Sequence, residues 1–383
     1  MRILLVGDYP PDPRLGSTKV LVKLQEEFRA LGHTCDVLLA DAIGDFPRVE
    51  YIRRGLGPLM ALLAVRRQFR EHGRYDVVDV ASAEGIWIGL LSKSLLGNAA
   101  VISRSNGLEH LNYRRMIDDH DVGLLHKPWT HRLLHPVARL SQVAGAARTA
   151  DRLLVLNEAD RAFAISRGWK RDDRIHLVPH GVSARFFADP PSGREPRGKG
   201  ILFCSSWAGM KGVPYLTEAL ARLVRAGRRW KMTVLGGGLP AAEILASFPE
   251  VARPFVTIID RAPEEQLMAA YREHDLMVLP STYEGFGMVV IEAMSQKLPV
   301  VATPAGCAAS LIVNEQTGLL VPARDPTALA AALDRMLLDG ALRRRCADAA
   351  FELVRGMTWA HTARLTLDVY QGAIHDRANR HGG

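Results

Sequence analysis

Leu279-Pro280-Ser281-Thr282-Tyr283-Glu284-Gly285-Phe286-Gly287-Met288-Val289-Val290-Ile291-Glu292-Ala293-Met294 reads as the end of a strand, a loop and the opening of a helix. Gly285 and Gly287 remove side chains where the helix begins, so backbone N–H groups there can approach a ligand closely. A helix N-terminus also presents unpaired donors and a partial positive charge, which suits a diphosphate. Glu284 stands in the loop, and Glu292 follows eight residues on, about two turns into the helix. Carboxylates accept hydrogen bonds from vicinal hydroxyls, so one could hold a sugar and the other a ribose. The bare pattern is also that of a glycine-rich helix cap with two solvated glutamates.

Outward from this segment, short apolar and β-branched runs alternate with longer helix-like stretches, as in βα units that build a parallel sheet. In the first half the expected strands are Ile3–Val6, Asp36–Leu39, Val77–Val80, Val101–Ser103, Leu153–Leu156 and His176–Val178. In the second half they are Ile201–Cys204, Met232–Leu235, Val256–Ile259, Leu276–Leu279, Val300–Ala302 and Leu319–Val321. Between the two sets, 188–200 carries three prolines and three glycines in 13 residues and reads as a linker. The expected fold class is α/β: two Rossmann-like, doubly wound domains, 1–187 and 201–357, facing a central cleft at the carboxyl ends of their strands. A length of 383 residues fits two domains of roughly 150. The last stretch, 358–383, has helical spacing and could cross back onto the first domain.

Hydrophobic residues at 48% and charged residues at 23% exclude collagen-like, coiled-coil and largely disordered chains. Cys35, Cys204, Cys307 and Cys346 lie far apart without a CxxC pair, so neither a disulfide framework nor a zinc site is expected. Met1-Arg2 leads at once into apolar Ile3–Val6, with no signal-peptide architecture, and no run reaches the roughly 18 apolar residues of a transmembrane helix. The expected place is the cytoplasm, at most peripherally on the inner face of the cell membrane. The net charge is +8, with 30 basic against 23 acidic residues in 1–200 and 19 against 18 beyond. That surplus in the first half points to an anionic partner: nucleic acid, phosphorylated substrate or membrane surface.

Several further segments recur in register with one known pattern. They are Met210-Lys211-Gly212 at the start of a helix, the glycine turn Val234-Leu235-Gly236-Gly237-Gly238, Pro299-Val300-Val301-Ala302-Thr303 and Thr317-Gly318-Leu319-Leu320-Val321-Pro322. In the first half, Gly16 and His176-Leu177-Val178-Pro179-His180-Gly181-Val182 join them. Together with the Glu284/Glu292 segment, they make the chain resemble the large retaining glycosyltransferase group called family 4, which has the GT-B fold. The resemblance covers roughly 350 residues.

That resemblance implies roles. Lys211 would neutralise a nucleotide diphosphate, Glu292 would bind the ribose and Glu284 the donor-sugar hydroxyls. Main-chain N–H groups at Phe286, Gly287 and Met288 would contact sugar and phosphates, and Gly16 would let the first loop approach the diphosphate. It implies a nucleotide diphosphate sugar as donor substrate, an acceptor that is a sugar, a lipid-linked molecule or a small molecule, no further cofactor, and same-face attack assisted by the departing phosphate.

Departures from the pattern are equally specific. The family's Gly-Arg before the lysine loop, with its arginine as second diphosphate clamp, is here Ser205-Ser206, whose hydroxyls carry no charge. Arg14 and Lys19 are candidates to replace that cation, with Ser206 kept as a donor-site residue. In Arg104-Ser105-Asn106-Gly107-Leu108-Glu109-His110, many relatives have histidine near the reacting carbon; here it is Asn106, leaving Arg104, Glu109 and His110 as acceptor-side candidates. Lys297 stands where a glycine is usual and His180 where an asparagine is.

Asp119-His120-Asp121 spells the metal-binding D-x-D of a different glycosyltransferase fold but reads as a surface loop, and no cluster has metal spacing. Tyr51 to Arg70, with Arg53, Arg54, Arg66, Arg67 and Arg70 and no acid, suits either an ordinary amphipathic helix or one lying on an anionic membrane. The carboxylate-free 122–150, with Lys127, Trp129, Arg132 and Arg139, reads the same way. Beside a glycosyltransferase, the sequence leaves open a sugar-nucleotide epimerase of the same fold and a degenerate nucleotide-sugar-binding scaffold. No nucleic-acid module is present, and no nucleic-acid partner is expected.

Overall fold

A computed structural model describes residues 1–44, 50–121, 123, 132, 134–188 and 198–381, without the side chains of 50–54, 93, 380 and 381. The chain divides into two compact units: Met1–His180 with Trp359–Gly383, and Gly181–Thr358. Among the described residues each unit is built on one six-stranded sheet, and every strand pair in both is parallel.

The first sheet runs β2-β1-β3-β4-β5-β6 from β1 (Arg2–Val6), β2 (Thr34–Leu38), β3 (Val77–Ala81), β4 (Ala100–Arg104), β5 (Arg152–Val155) and β6 (Ile175–Leu177). The second runs β12-β11-β10-β7-β8-β9 from β7 (Ile201–Cys204), β8 (Met232–Leu235), β9 (Val256–Ile259), β10 (Leu276–Leu279), β11 (Val300–Ala302) and β12 (Leu319–Leu320). All twelve expected strands are present, shifted at most two residues at their ends. β3, β7 and β10 are buried along their whole length because helices cover both faces of a parallel sheet. β9 is a sheet edge, and its burial alternates accordingly.

Local chemistry sets the helices around these sheets. In Val213–Arg225 the residues Val213, Leu216, Leu220 and Leu223 recur at helical spacing on the buried face, which packs against Pro326–Leu338. Asp325 starts the latter by accepting from the N–H groups of Thr327 and Ala328, with Pro326 at the first helical position. The expected glycine before Leu298 is Lys297, and its backbone keeps a left-handed φ of +52°. Its ammonium reaches Asp348 at 2.8 Å and lies 5.3 Å from the Phe351 ring, contacts that offset the strained backbone.

The C-terminal helix Trp359–His381 packs on the first unit's sheet and on Gly16–Ala30. Tyr370 donates its hydroxyl to Asp79 of β3, and Arg377 donates to Asp151 at 2.7 Å, to Ser92 at 2.8 Å and to the Ala99 carbonyl. Residues 189–197 of the expected linker, and Lys127 and Trp129, lie outside the described residues. Asp119-His120-Asp121 is not a surface loop: it ends the helix Glu109–Asp121, with Asp119 buried against Arg115 at 2.6 Å.

One buried carboxyl makes the first unit pH-sensitive. Asp160, 1% exposed, sits in the first turn of Glu158–Ser166, where its N–H donates to the Asn157 cap at 2.8 Å. Its Oδ2 has no partner among the described residues, and burial pushes the carboxyl up from 3.8 to about 7. A raised carboxyl makes a stability contribution that is present below pH 3.8 and lost as the pH climbs through about 7. Asp160→Asn removes that loss. Its melting temperature relative to the parent chain is expected to rise by several degrees between pH 4 and pH 8. A pH-independent difference in calorimetry would contradict the assignment.

Candidate active site

In the second sheet the strand order reverses between β7 and β10, the topological switch point at which open α/β sheets hold their ligands. The loops leaving these two strands are therefore neighbours although about 75 residues separate them. Lys211 is on the first and Glu284 on the second. The lysine Nζ contacts both carboxylate oxygens, at 2.7 and 2.8 Å, and the Ser281 hydroxyl donates to Glu284 Oε1 at 2.7 Å. Side-chain exposures of 16% and 6% make this a largely desolvated pair, whose net contribution to stability is small but whose breaking would leave a buried charge uncompensated.

The backbone holds the two loops in contact. The Thr282 N–H donates to the Met210 carbonyl at 2.8 Å. Gly212 has a φ of +72°, and a Cβ there would fall 1.9 Å from the Pro280 oxygen, so the Lys211 loop touches the Glu284 loop only because residue 212 has no side chain.

Gly287, at φ +86°, turns the chain into the helix Met288–Ser295, whose N-terminus no side chain caps. Its first-turn N–H groups point out of the helix toward the carboxyl edge of the sheet. Phe286 is buried, and its carbonyl accepts from the Cys307 N–H at 2.7 Å, fixing the loop. Glu292, one turn into this helix, is 3% exposed and accepts from the Tyr271 hydroxyl at 3.0 Å. Ser206 is half-buried just past β7, and the next residue, Trp207, donates its N–H to the Gly237 carbonyl of the glycine turn at 2.7 Å. The structure thus gathers Lys211, Glu284, Phe286, Gly287, Met288 and Ser206 along one edge of the second sheet, with Glu292 buried in the helix that follows.

The first unit sorts its candidates differently. Gly16 is exposed at the start of Gly16–Ala30, a helix without a side-chain cap. Arg14 is exposed and bonded to Asp12 at 2.9 Å, so it already has a counter-ion. Asn106 donates to the Tyr9 hydroxyl at 3.0 Å, and its Oδ1 is buried without a partner among the described residues. Arg104 needs correction as an acceptor-side residue: it is 1% exposed and engaged in the core by Asp79 at 2.5 Å. His110 is half-buried. Its ring packs 4.7 Å from Trp169 and 5.6 Å from Phe163, and burial pushes it down to about 4, leaving a neutral ring.

Glu109 belongs to a cluster that sequence reading missed. Burial would push Glu109 up, but Arg139 at 3.0 Å and the Ser82 hydroxyl at 2.8 Å outweigh it and hold the carboxyl below its usual range. Arg139 also bonds Glu84 at 2.7 Å; there burial wins, and Glu84 is raised. Ser82 takes a left-handed φ of +50°, a strained backbone of the kind stored at functional sites. No local signal joins residues 82, 84, 109 and 139; only the return of β3 and β4 to one edge does. Among the described residues no three His, Cys, Asp or Glu side chains gather as a metal site would need.

Two parallel Rossmann-like sheets, each with a polar cluster at its carboxyl edge, define a protein of the GT-B class. A model described as Glycosyltransferase Family 4 matches residues 16–186, and one described as Glycosyl transferases group 1 matches residues 186–353. The chain belongs to this family of glycosyltransferases. It is 30% identical over 274 residues to the D-inositol 3-phosphate glycosyltransferase of Kineococcus radiotolerans, covering 64% of this chain and 63% of that protein, just under two thirds of its length. The sucrose-phosphate synthase structure from Thermosynechococcus elongatus shares the fold with a TM-score of 0.80 at 21% identity, covering 98% of this chain and 99% of that one. Anabaena HepE, solved with UDP-glucose, does so with a TM-score of 0.67 at 17% identity, covering 99% and 100%.

The Gly212 contact is directly testable. Gly212→Ala is expected to destabilise the protein by about 2 kcal/mol or more in urea unfolding, since it combines a left-handed φ with a backbone clash. Gly209→Ala, whose Cβ meets nothing within 4 Å, should change little. Equal midpoints for both would refute the argument.

Proposed function

We propose that this protein is a retaining glycosyltransferase that moves a sugar from a nucleotide diphosphate sugar to an acceptor hydroxyl, in the building of a bacterial glycan, glycolipid or glycosylated metabolite. The observation that carries the reading is the buried Lys211–Glu284 pair at the switch point, beside an uncapped helix N-terminus. Breaking the sugar–phosphate bond places negative charge on the departing diphosphate. A lysine and oriented N–H dipoles in a partly dry site stabilise that charge strongly. In this reading the countercharge comes from protein groups, Lys211 and the helix start, rather than from a metal.

Glu284 plays two parts. It holds the Lys211 ammonium in place, and its remaining acceptor capacity is available to donor-sugar hydroxyls. Glu292 would take the ribose. Ser206 and the main-chain N–H groups of Phe286, Gly287 and Met288 would meet the phosphates and sugar. On the first unit, Gly16, Asn106 and Glu109 remain the groups assigned to the donor phosphates, the reacting carbon and the acceptor. The acceptor oxygen bonds to the anomeric carbon as the phosphate oxygen leaves on the same face. The acceptor proton passes to that departing oxygen, releasing the nucleoside diphosphate. The relatives named for D-inositol 3-phosphate make a phosphorylated polyol one acceptor class to try first.

A second observation favours contact with a membrane. Leu56, Leu59 and Leu63 of Glu50–His72 and Trp87, Leu90 and Leu91 of the adjacent Gly85–Leu95 are all at least 39% exposed. Arg67 and Arg70 are exposed on the first of these helices. Exposed apolar side chains with arginines on the same helix suit an anionic lipid surface. Among the described residues no helix is long and apolar enough to cross a membrane.

Lys211→Ala and Glu284→Gln should each lower turnover at least tenfold, about 1.4 kcal/mol of barrier. The double variant should lose less than the sum, because the two side chains act as one pair. Near-normal rates in both single variants would remove the assignment, and conversion of the donor sugar without acceptor would indicate an epimerase. In vesicle flotation, binding should require anionic lipid and fall in high salt; equal recovery with neutral vesicles would dispose of the membrane reading.

A further inference from the structure

Lys211 cannot neutralise a diphosphate alone, because Glu284 holds its ammonium through both carboxylate oxygens and the pair is close to neutral. The two residues past β7, where a second cation would be sought, are Ser205 and Ser206. Arg14, on the first unit, is already bonded to Asp12. A dianionic or trianionic group at this edge still requires positive charge.

Among the described residues of the second unit, Arg261 is a suitable group in a position that sequence spacing does not reveal. Arg261 follows β9 by two residues, is exposed, and has no ion-pair or hydrogen-bond partner among the described residues. Its side chain lies over the glycine turn after β8. A Cβ on Gly238 would come 3.0 Å from Arg261 Nη2, and one on Gly236 would come 3.8 Å from its Cγ. The same turn is tied to the serine loop: Trp207 N–H donates to the Gly237 carbonyl at 2.7 Å, and a Cβ on Gly237 would meet the Trp207 Cβ at 3.5 Å. The turn is also tied to the arginine's own strand, since the Gly236 N–H donates to the Ile259 carbonyl at 2.9 Å. Serine loop, glycine turn and arginine are thus consecutive along one sheet edge, on strands about 4.8 Å apart. The glycines carry no side chains there, and the Arg261 guanidinium already extends over Gly238. Its planar fork suits two phosphate oxygens at once.

We propose that Arg261 is the second diphosphate-binding cation of this enzyme, contributed by the loop after β9 in place of one on the loop after β7. The inference rests on the reading of Lys211 and the helix start as the diphosphate site, and it adds a residue to that site. It also explains why serines are tolerated at 205 and 206. The positive charge reaches the same edge of the sheet from two strands away.

The test is calorimetric titration of UDP, GDP and ADP into the full chain and its variants. R261A is expected to weaken every nucleotide that binds by about tenfold and in equal proportion, with the melting temperature of the unliganded protein unchanged. R261K should recover part of the loss. Placing the cation on the other loop, S206R in the R261A background, should recover at least half of it on a logarithmic scale. Affinities within twofold of the parent chain in R261A would overturn the proposal. So would a loss confined to one of the three bases, which would make Arg261 a base-reading residue. If K211A abolishes binding while R261A does not alter it, the site stands and this inference falls. If the parent chain binds none of the three, both fall.

Discussion

The parallel pairing of β7 with β10, Ile201 opposite Leu276 and Leu202 opposite Met277, is the constraint on which the candidate site depends. It is a pairing between strands that are not consecutive, and it exists because the chain winds outward from β7 in one direction through β8 and β9, then returns to wind the other way. At that reversal the two loops diverge from a common edge, with no helix connection filling the space between them. Everything chemically distinctive about the second unit is placed there. The buried Lys211–Glu284 pair, the side-chain-free contact at Gly212 and the uncapped helix after Gly287 all follow from two strand ends being held side by side.

A similar rule organises the first unit, with a different outcome. Asp79 on β3 lies opposite Ile102, so Arg104, two residues further along β4, reaches it diagonally on the same face, and Tyr370 of the C-terminal helix completes a buried triad. Such a group contributes little net stability, but it is strongly destabilising to break, so it determines where the last helix must dock. Arg377 does the same at Asp151. One loop further out, Arg139 sits between Glu84 and Glu109 instead of in the core. Arginine–carboxylate pairs in this unit therefore serve two purposes. One set locks a terminal helix, and the other builds a polar surface at the carboxyl edge of the sheet.

Much of the fold was legible from periodicity, because a strand covered on both faces must be apolar throughout, and such runs stand out between longer helical stretches. The glycine-rich segment at 285–287 was legible for a related reason: few structures other than a backbone-approach loop require glycine twice beside a helix start. Arg104 shows where such reading ends. Written beside Asn106 and Glu109 it looked like a site residue, but its neighbour across the sheet, Asp79, lies 25 residues away and draws the guanidinium into the core. The packing of the half-buried His110 ring on Trp169 and Phe163 was likewise not readable from the sequence. Lys297 is the opposite case. The residue changed, but the left-handed backbone that glycine ordinarily serves remained, supported by Asp348 and Phe351.

Alternation of apolar runs with helical stretches and the two glutamates around a glycine turn are properties of neighbouring residues, and the sequence alone determined them. Which strand lies beside which was decided only by the tertiary structure, and with it which charges meet. Lys211 acquires Glu284, Arg139 acquires Glu84, and Arg261 lies above a bare glycine turn without a partner among the described residues. The physical reason is range. Backbone preference and hydrophobic period act over a few residues, whereas a charge's partner is set by a Coulomb interaction between groups that only the completed sheet brings within about 4 Å.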